Sequence, residues 1–77
     1  MHRDKTPDRV LARRRAIGAQ LREARKEASL TQQELGDRIN RDVKSISRWE
    51  NGHRAPSLDD LIALSEGLEK PLAHLVR

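Results

Sequence analysis

The chain has 77 residues and a formal net charge of +4, and 35% of its residues are hydrophobic, among them one Trp but no Cys, Phe or Tyr. This length predicts one small domain with an aliphatic core and no large cofactor cavity, because so short a chain buries only about 60% of its unfolded surface. The lack of Cys excludes disulfides, thiolate metal sites and thiol nucleophiles. No apolar run approaches the ~20 residues of a membrane span, so we expect a soluble, cytoplasmic protein without a targeting segment.

The positive charge is concentrated near the start of the chain. Residues 1–30 carry nine Lys or Arg against four acidic residues, whereas residues 57–77 carry two against four. Such a distribution suits a one-sided contact with a polyanion, and nucleic acid is the commonest polyanion. A solvated basic surface without a partner would give the same counts, so charge alone leaves both interpretations open.

Helical spacing of apolar residues predicts an all-α domain over residues 6–77, since alternation with the period of a strand is missing. We expect residues 1–5 to form a disordered basic arm. The first helix lies within 7–28, with Thr6 as its N-cap and Pro7 in its first position. Its apolar positions are Val10, Ile17, Leu21, Ala24 and Ala28.

A helix-turn-helix motif is predicted at about residues 31–51. The sequence Thr-Gln-Gln-Glu at 31–34 is a capping box that starts a short second helix, which runs only to about Arg38. Asp42 is a strong N-cap for a third helix at 43–50, and the Asn-Gly pair that follows terminates it. Two short helices joined by a tight turn, inside a bundle of about five helices, have the organisation of a helix-turn-helix.

A fourth and a fifth helix complete the predicted bundle. Ser57 and Asp60 form a second capping-box pattern at the start of the fourth helix. Pro71 begins a last turn or two at the end of the chain. The predicted apolar stripe of the fourth helix consists of Leu58, Leu61, Ile62 and Leu64.

Four stretches of this region carry a family pattern in one register. They are Leu-Thr-Gln-Gln-Glu-Leu-Gly at 30–36, Ile39-Asn40, Ser-Ile-Ser-Arg-Trp-Glu-Asn-Gly at 45–52, and Arg-Ala-Pro-Ser-Leu at 54–58. With these motifs the sequence resembles, over residues 16–76, the Cro/CI-type (XRE) family of lambda-repressor-like helix-turn-helix DNA-binding domains. The resemblance implies a five-helix DNA-binding fold that acts as a dimer on an operator near a promoter.

The resemblance also implies which residues meet DNA bases. In such a docking the third helix enters the major groove N-terminus first, so the exposed residues of its first two turns reach base edges. Arg48 is the first choice as a specificity residue, because a guanidinium can donate two hydrogen bonds to guanine O6 and N7. A plain solubility charge is the alternative for Arg48, and a core-capping role is the alternative for Val43. The candidate base contacts are Val43, Lys44, Ser47 and Arg48.

Phosphate contacts would hold the domain in place without reading sequence. The resemblance implies that Gln32, at the start of the second helix, contacts a phosphate and braces the third helix, and helix N-termini favour anions in general. Arg41 stands in the turn, where the family has a small apolar residue, and is a further candidate at the rim. The remaining candidates are Asn51, Arg54 and Arg15, and simple solvation is the alternative for each.

Three residues are expected to have structural roles. Trp49 follows Ile46 by three residues, which predicts that it lies in the core and is not free to stack on a base. The resemblance implies that Arg25 and Glu50 form a partly buried ion pair between the first and third helices.

The sequence departs from the family pattern at Ser29 and Glu69, where Gly is usual, and at Gly36 and Gly67, where Ala is common.

These observations predict a sequence-specific DNA-binding transcriptional regulator and not an enzyme. We expect a repressor of bacterial or phage type, associated with the nucleoid, that binds an inverted-repeat operator in double-stranded DNA as a homodimer. The three His residues lie far apart in sequence and no Gly-rich phosphate loop follows a strand, so we expect no metal, no cofactor and no catalytic site.

A protein-interaction module is the alternative, such as an antitoxin or a component of a larger regulatory complex. Its contacts would come from apolar residues near the ends of the chain: Val10, Leu11, Leu72, Leu75 and Val76. The salt dependence of binding distinguishes the two functions. A DNA-binding protein loses affinity steeply as the salt concentration rises, and an interaction module need not.

Overall fold

Five α-helices account for the regular structure of residues 6–77, the part of the chain that this computed structural model describes. In chain order they are α1 (Asp8–Glu27), α2 (Gln32–Ile39), α3 (Val43–Glu50), α4 (Leu58–Leu68) and α5 (Leu72–Leu75). No strand occurs within these residues, and the predicted all-α class is confirmed. The predicted disordered arm, residues 1–5, lies outside the described residues.

Hydrogen-bonded caps start three of the helices where the sequence predicts them. At α2, Thr31 Oγ1 accepts a hydrogen bond from the Glu34 amide at 3.0 Å, and the Glu34 carboxylate accepts one from the Thr31 amide at 2.8 Å. Ser57 and Asp60 form the same reciprocal pair at α4. The Asp42 carboxylate accepts a hydrogen bond from the backbone amide of Ser45, in the first turn of α3, at 2.8 Å. These caps satisfy amides that have no partner within a helix, so they fix where each helix begins.

The start of α1 differs from the prediction. Pro7 occupies the N-cap position with an extended ψ of 149°, and α1 begins at Asp8 without a side-chain cap. The carbonyl of Pro7 accepts hydrogen bonds from the amides of Val10 and Leu11 at 3.0 and 3.1 Å, which is the role of an N-cap residue. The prediction of Thr6 as the N-cap is therefore wrong by one residue.

All five helices contribute to one buried core. Trp49 is 4% exposed and lies in this core, as the spacing from Ile46 predicts. The C-terminal residues considered as partner contacts belong largely to the same core, since Leu75 is fully buried and Leu72 and Val76 are half-buried. The core residues are Leu21, Ala24, Leu35, Ile39, Ile46, Trp49, Leu64, Leu68 and Leu75.

Three large residues predicted to be apolar core positions are exposed instead, and so is the smaller Ala28. Val10 is 41% exposed because it lies in the first turn of a 20-residue helix, far longer than the helices that pack on it. Leu58 and Ile62 are 65% and 43% exposed. At 100° per residue they lie about 120° around α4 from the face that carries Leu64 and Leu68 into the core. They therefore leave an apolar pair on the outer face of α4.

The backbones of α1 and α3 approach closely at Gly18. A Cβ atom at this position would lie 2.7 Å from the carbonyl oxygen of Glu50 and closer still to that of Trp49. Only Gly permits this packing distance. The close approach brings the C-terminal half of α1 alongside the end of α3.

The turn between α2 and α3 depends on Gly36. Asn40 takes the left-handed conformation, with φ of 60°, and the Arg41 amide donates to the Gly36 carbonyl at 2.9 Å. A Cβ at Gly36 would lie 2.5 Å from the Arg41 carbonyl oxygen. The cost in helix propensity of Gly over Ala is therefore offset by the close packing of this turn.

Besides Asn40, two helix ends have a residue other than Gly in the left-handed backbone region. Ser29, after α1, has φ of 59°, and Glu69, the C-cap of α4, has φ of 56°. The family pattern has Gly at these two positions, and the observed φ values give the physical reason. A side chain in this conformation costs about 1–2 kcal/mol.

None of the helices in residues 6–77 is both long enough and apolar enough to cross a membrane.

Candidate nucleic-acid interface

One face of α3 is anchored in the core, and this sets the direction of the other face. Ile46, Trp49 and Glu50 are 1%, 4% and 6% exposed. The opposite face presents Lys44 and Arg48 to solvent. A short helix that is fixed along one side and cationic along the other can enter a groove of DNA without rearranging.

The other two candidate base contacts border this exposed face. Val43 is 36% exposed at the first position of α3, so its side chain is available to a thymine methyl group. Ser47 is half-buried, and its hydroxyl accepts a hydrogen bond from Asn51 Nδ2 at 3.3 Å. The structure therefore brings Val43, Lys44, Ser47 and Arg48 onto one side of α3.

Asp42 adds a carboxylate at the tip of this helix. Hydrogen bonds from Ser45 lower the pKa of Asp42, and the charges of Arg48 and Lys44 lower it further. The carboxylate thus stays ionised and keeps the first turn of α3 capped.

A buried ion pair ties α3 to α1. Arg25 donates from Nε to Glu50 Oε2 at 2.6 Å and from Nη2 to Oε1 at 2.9 Å. Arg25 Nη1 also donates to the Leu30 carbonyl at 2.9 Å, so the guanidinium is held in three places. The hydrogen bonds to Glu50 raise the pKa of Arg25 despite its burial. Bidentate pairing of this kind fixes orientation as well as charge.

Gln32 extends this network to the start of α2. Its Nε2 atom donates to Glu50 Oε1 at 3.1 Å, which places the side chain against the end of α3. Gln32 is half-buried, so part of it still faces solvent at the helix N-terminus. The structure thus shows the contact that braces α3, while the phosphate contact of Gln32 stays a prediction.

Three of the predicted phosphate-binding residues lie around the C-terminal end of α3. Asn51 and Arg54 are exposed, and the Arg54 amide donates to the Arg48 carbonyl at 3.3 Å, which folds the following loop back onto the helix. The Arg15 side chain packs against Gly52, so closely that a Cβ there would meet Arg15 Cγ at 2.6 Å. Arg15, Asn51 and Arg54 therefore lie near the C-terminal end of α3.

Arg41, the remaining predicted phosphate contact, is bonded within the turn between α2 and α3 and to α4. Its Nε atom donates to Asp60 Oδ1 at 2.9 Å, and its Nη1 atom donates to the carbonyls of Ile39 and Asn40, each at 3.2 Å. The guanidinium joins this turn to α4, and the phosphate contact of Arg41 stays a prediction. The sequence showed Asp60 only as a capping residue, so this ion pair was not predicted.

Two residues that shape the interface escaped sequence reasoning. Gly18 sets the α1–α3 distance, and Asp60 holds the Arg41 guanidinium in an ion pair at 2.9 Å. Partial burial acts to raise the pKa of Asp60, but hydrogen bonds from Ser57 and Arg41 outweigh it and leave this pKa low. For Gly18, the only signal in the sequence was a Gly inside an amphipathic helix. For Asp60, the signal was Arg41, which stands where the family has a small apolar residue.

A comparison with known families matches residues 21–75 to the helix-turn-helix family model. The chain belongs to the helix-turn-helix family. It is 36% identical, over 50 residues, to the HTH-type transcriptional regulator ImmR of Bacillus subtilis (strain 168), in a match that covers 65% of this chain and 39% of that relative. The chain thus spans well under half the length of this relative.

Two solved structures share the fold of this helix-turn-helix domain. The restriction-modification controller protein C.AhdI from Aeromonas hydrophila superposes with a TM-score of 0.82 at 28% identity, over 84% of this chain and 94% of the other. The clp gene regulator ClgR from C. glutamicum gives a TM-score of 0.77 at 27% identity, over 82% of each chain. Together these relatives confirm the resemblance to XRE-type helix-turn-helix transcriptional regulators.

Proposed function

We propose that this helix-turn-helix domain is a sequence-specific DNA-binding transcriptional regulator that acts as a repressor by occupying an operator in the cytoplasmic nucleoid. The observation that carries the proposal is the geometry of α3. Its buried side is fixed by Ile46 and Trp49, and its exposed side offers Lys44 and Arg48. The regulators to which the chain is similar in sequence or fold support the same function.

Base reading would come from the exposed residues in the first two turns of α3. Arg48 donates two hydrogen bonds to the O6 and N7 atoms of a guanine, a pairing worth roughly 1–3 kcal/mol of discrimination. Lys44 reaches a neighbouring guanine or phosphate, and Val43 packs on a thymine methyl group. Ser47, which is already bonded to Asn51, makes the smaller polar contact.

Phosphate binding would hold α3 at the correct depth and angle in the groove. Gln32 approaches one strand at the start of α2, and Arg15, Asn51 and Arg54 approach the backbone around the other end of α3. The network of Arg25, Glu50 and Gln32 makes this frame rigid. Base recognition and phosphate binding therefore depend on different side chains, so single substitutions can test them separately.

We propose that two copies bind together, because the few base contacts of one domain specify only a short sequence. A two-fold pair on one face of the duplex requires half-sites centred about 34 Å, or roughly 10 bp, apart, or a multiple of that spacing. The operator would accordingly be an inverted repeat.

Selection of binding sites from a random duplex library tests this function. The wild type, Arg48→Ala and Arg9→Ala are compared at ~150 mM salt; Arg9 is an exposed α1 residue outside the candidate site and serves as the charge-matched control. We expect the wild type and Arg9→Ala to enrich the same inverted repeat and Arg48→Ala to lose or relax one base position. No enrichment from a folded wild type would contradict the proposal and favour the protein-interaction alternative.

A further inference from the structure

The two ends of α3 are held in different ways. At the C-terminal end, Glu50 accepts hydrogen bonds from Arg25 and Gln32. The backbone of α1 also approaches this end closely, at Gly18. As a whole, α3 packs chiefly on α1 and α2, whereas α4 packs on α2 and α5. The N-terminal end of α3 therefore gains little support from direct packing against α4.

A cleft lies between α3 and the start of α4. Ser45 and Trp49 line its α3 side, and Ser57 and Asp60 line its α4 side. Arg41 lines the cleft as well, and its Nε atom donates to Asp60 Oδ1 at 2.9 Å. This ion pair joins the turn that leads into α3 to the first turn of α4, where the two helices themselves stand apart.

Each partner of the ion pair is held by further hydrogen bonds. Arg41 Nη1 donates to the carbonyls of Ile39 and Asn40, each at 3.2 Å. Asp60 Oδ2 accepts a hydrogen bond from the Ser57 amide at 2.9 Å. The Arg41 and Asp60 side chains are only 35% and 20% exposed, so solvent screens the pair incompletely. The planar guanidinium thus connects the backbone of the turn to α4 in a fixed geometry.

We propose that Arg41 is a positioning residue for base recognition, which sets the angle of the N-terminal end of α3 by holding the turn to Asp60. The inference rests on the DNA-binding function proposed above. Val43 and Lys44 stand two and three residues after Arg41, so a shift of the turn displaces their side chains first. Arg48 lies one turn further along, closer to the end that α1 holds, and is displaced less. Hydrogen bonds to base edges weaken steeply with misalignment, so the shift lowers specificity.

The phosphate contact predicted for Arg41 leads to different expectations. A phosphate-binding Arg strengthens binding to every sequence, adds about one to the salt slope, and can be replaced by Lys, which also binds phosphate. A positioning Arg strengthens binding to the specific sequence and leaves the salt slope unchanged. Lys does not replace it, because one ammonium group lacks the planar fork that reaches Asp60 and two carbonyls together. Asp60 divides the two roles further, since a carboxylate does not bind phosphate.

Two substitutions break the ion pair from opposite sides. Arg41→Lys keeps the charge but not the fork. Asp60→Asn removes the charge that faces Arg41 and keeps an oxygen that can accept the Ser57 amide. Asp59→Asn is the matched control for the second, because Asp59 is an exposed acid in the same turn.

Arg38→Ala is the control for the first substitution. Arg38 Nη1 donates to the Gly67 carbonyl at 3.1 Å, so it ties α2 to the other end of α4, away from the turn. Helical circular dichroism and Trp49 fluorescence confirm that each variant is folded under the conditions of the binding assay.

The first readout is the ratio of affinities for the selected duplex and a scrambled one at ~150 mM salt. We expect Arg41→Lys and Asp60→Asn to lower this ratio by about fivefold or more, with the salt slope of the wild type. Asp59→Asn and Arg38→Ala should keep the wild-type ratio. Loss of stability alone would not change the ratio in a folded variant, because it weakens binding to both duplexes alike.

Site selection from the random library locates the effect along α3. Arg41→Lys should relax the same base positions as Lys44→Ala and keep the position that Arg48→Ala relaxes. A wild-type ratio for Arg41→Lys or for Asp60→Asn would overturn the inference. If Arg41→Ala lowers the salt slope by about one with an unchanged ratio, the guanidinium binds phosphate and the inference is likewise wrong.

Amide hydrogen exchange without DNA separates this inference from the proposed function. The amides of Ser45 and Ile46, in the first turn of α3, should exchange faster in Arg41→Lys and Asp60→Asn than in the wild type, while the Asn51 amide should not change. Unchanged exchange in the first turn would overturn the inference. A wild type that prefers no duplex would refute the proposed function instead, and faster exchange in the two variants would still show that Arg41 positions this end of α3.

Discussion

Glu50→Ala offers the sharpest test of how α3 is held. The substitution removes the acceptor for two bonds from Arg25, at 2.6 and 2.9 Å, and for the Gln32 bond at 3.1 Å. Arg25 is 9% exposed, so its charge would be left buried without a counterion. Removing one partner of such a pair typically costs about 3–5 kcal/mol.

That loss is large against the stability of so small a domain. At roughly 0.05–0.15 kcal/mol per residue, a 77-residue chain is stable by about 4–12 kcal/mol. We expect Glu50→Ala to shift the urea midpoint strongly downward at pH 7 and 25 °C, as followed by helical circular dichroism with Trp49 fluorescence as a second probe. DNA binding should fail in step with unfolding.

The double variant Arg25→Met/Glu50→Leu separates the orphaned charge from the lost bonds. Replacing both partners by apolar side chains of similar size leaves no buried charge, so this variant should be clearly more stable than Glu50→Ala. A loss below about 1 kcal/mol for Glu50→Ala, or an equal loss for the double variant, would refute the reasoning that the buried charge dominates.

Four further substitutions test other parts of the fold. Ser29→Gly and Glu69→Gly should each stabilise the domain by about 1 kcal/mol, because they relieve left-handed backbone at a side-chain-bearing residue; higher urea midpoints would show this, and unchanged midpoints would contradict it. Gly36→Ala should destabilise by about 1–3 kcal/mol despite its better helix propensity, since the new Cβ meets the Arg41 carbonyl; a more stable variant in the same urea assay would refute this. The pKa of Asp60 is lowered in the folded state, so its contribution is present above the unfolded pKa of about 3.9 and is lost as pH falls through the lower folded value. Urea titrations at pH 7 and pH 3 should therefore show a smaller acid loss for Asp60→Asn than for the wild type, and equal losses would contradict the assignment.

The local parts of the fold were predictable from sequence. Caps depend on residues three apart, and so Thr31 with Glu34 and Ser57 with Asp60 mark helix starts directly. Sequence periodicity likewise identified Trp49 as core. How the helices pack against one another could not be predicted from such local patterns. The exposure of Leu58 and Ile62 depends on which face of α4 meets the rest of the bundle, and the stripe in the sequence is too wide to decide it.

The candidate site depended more on family resemblance than on pattern. Arg25 and Glu50 are 25 residues apart, and nothing in composition or spacing pairs them; the resemblance implied the contact that the structure shows. The same resemblance gave no guidance at Arg41, where this chain departs from the family pattern. There the structure was needed to show that Asp60 takes the guanidinium.

The central claim, that α3 reads bases while its surroundings hold phosphates, is tested most directly by the ratio of specific to non-specific affinity. This ratio is measured at ~150 mM salt for the wild type, Arg48→Ala and Arg54→Ala, using the selected duplex and a scrambled one. We predict that Arg48→Ala lowers the ratio by about tenfold or more, whereas Arg54→Ala weakens both duplexes alike and reduces the salt slope by about one. An unchanged ratio for Arg48→Ala would contradict the account.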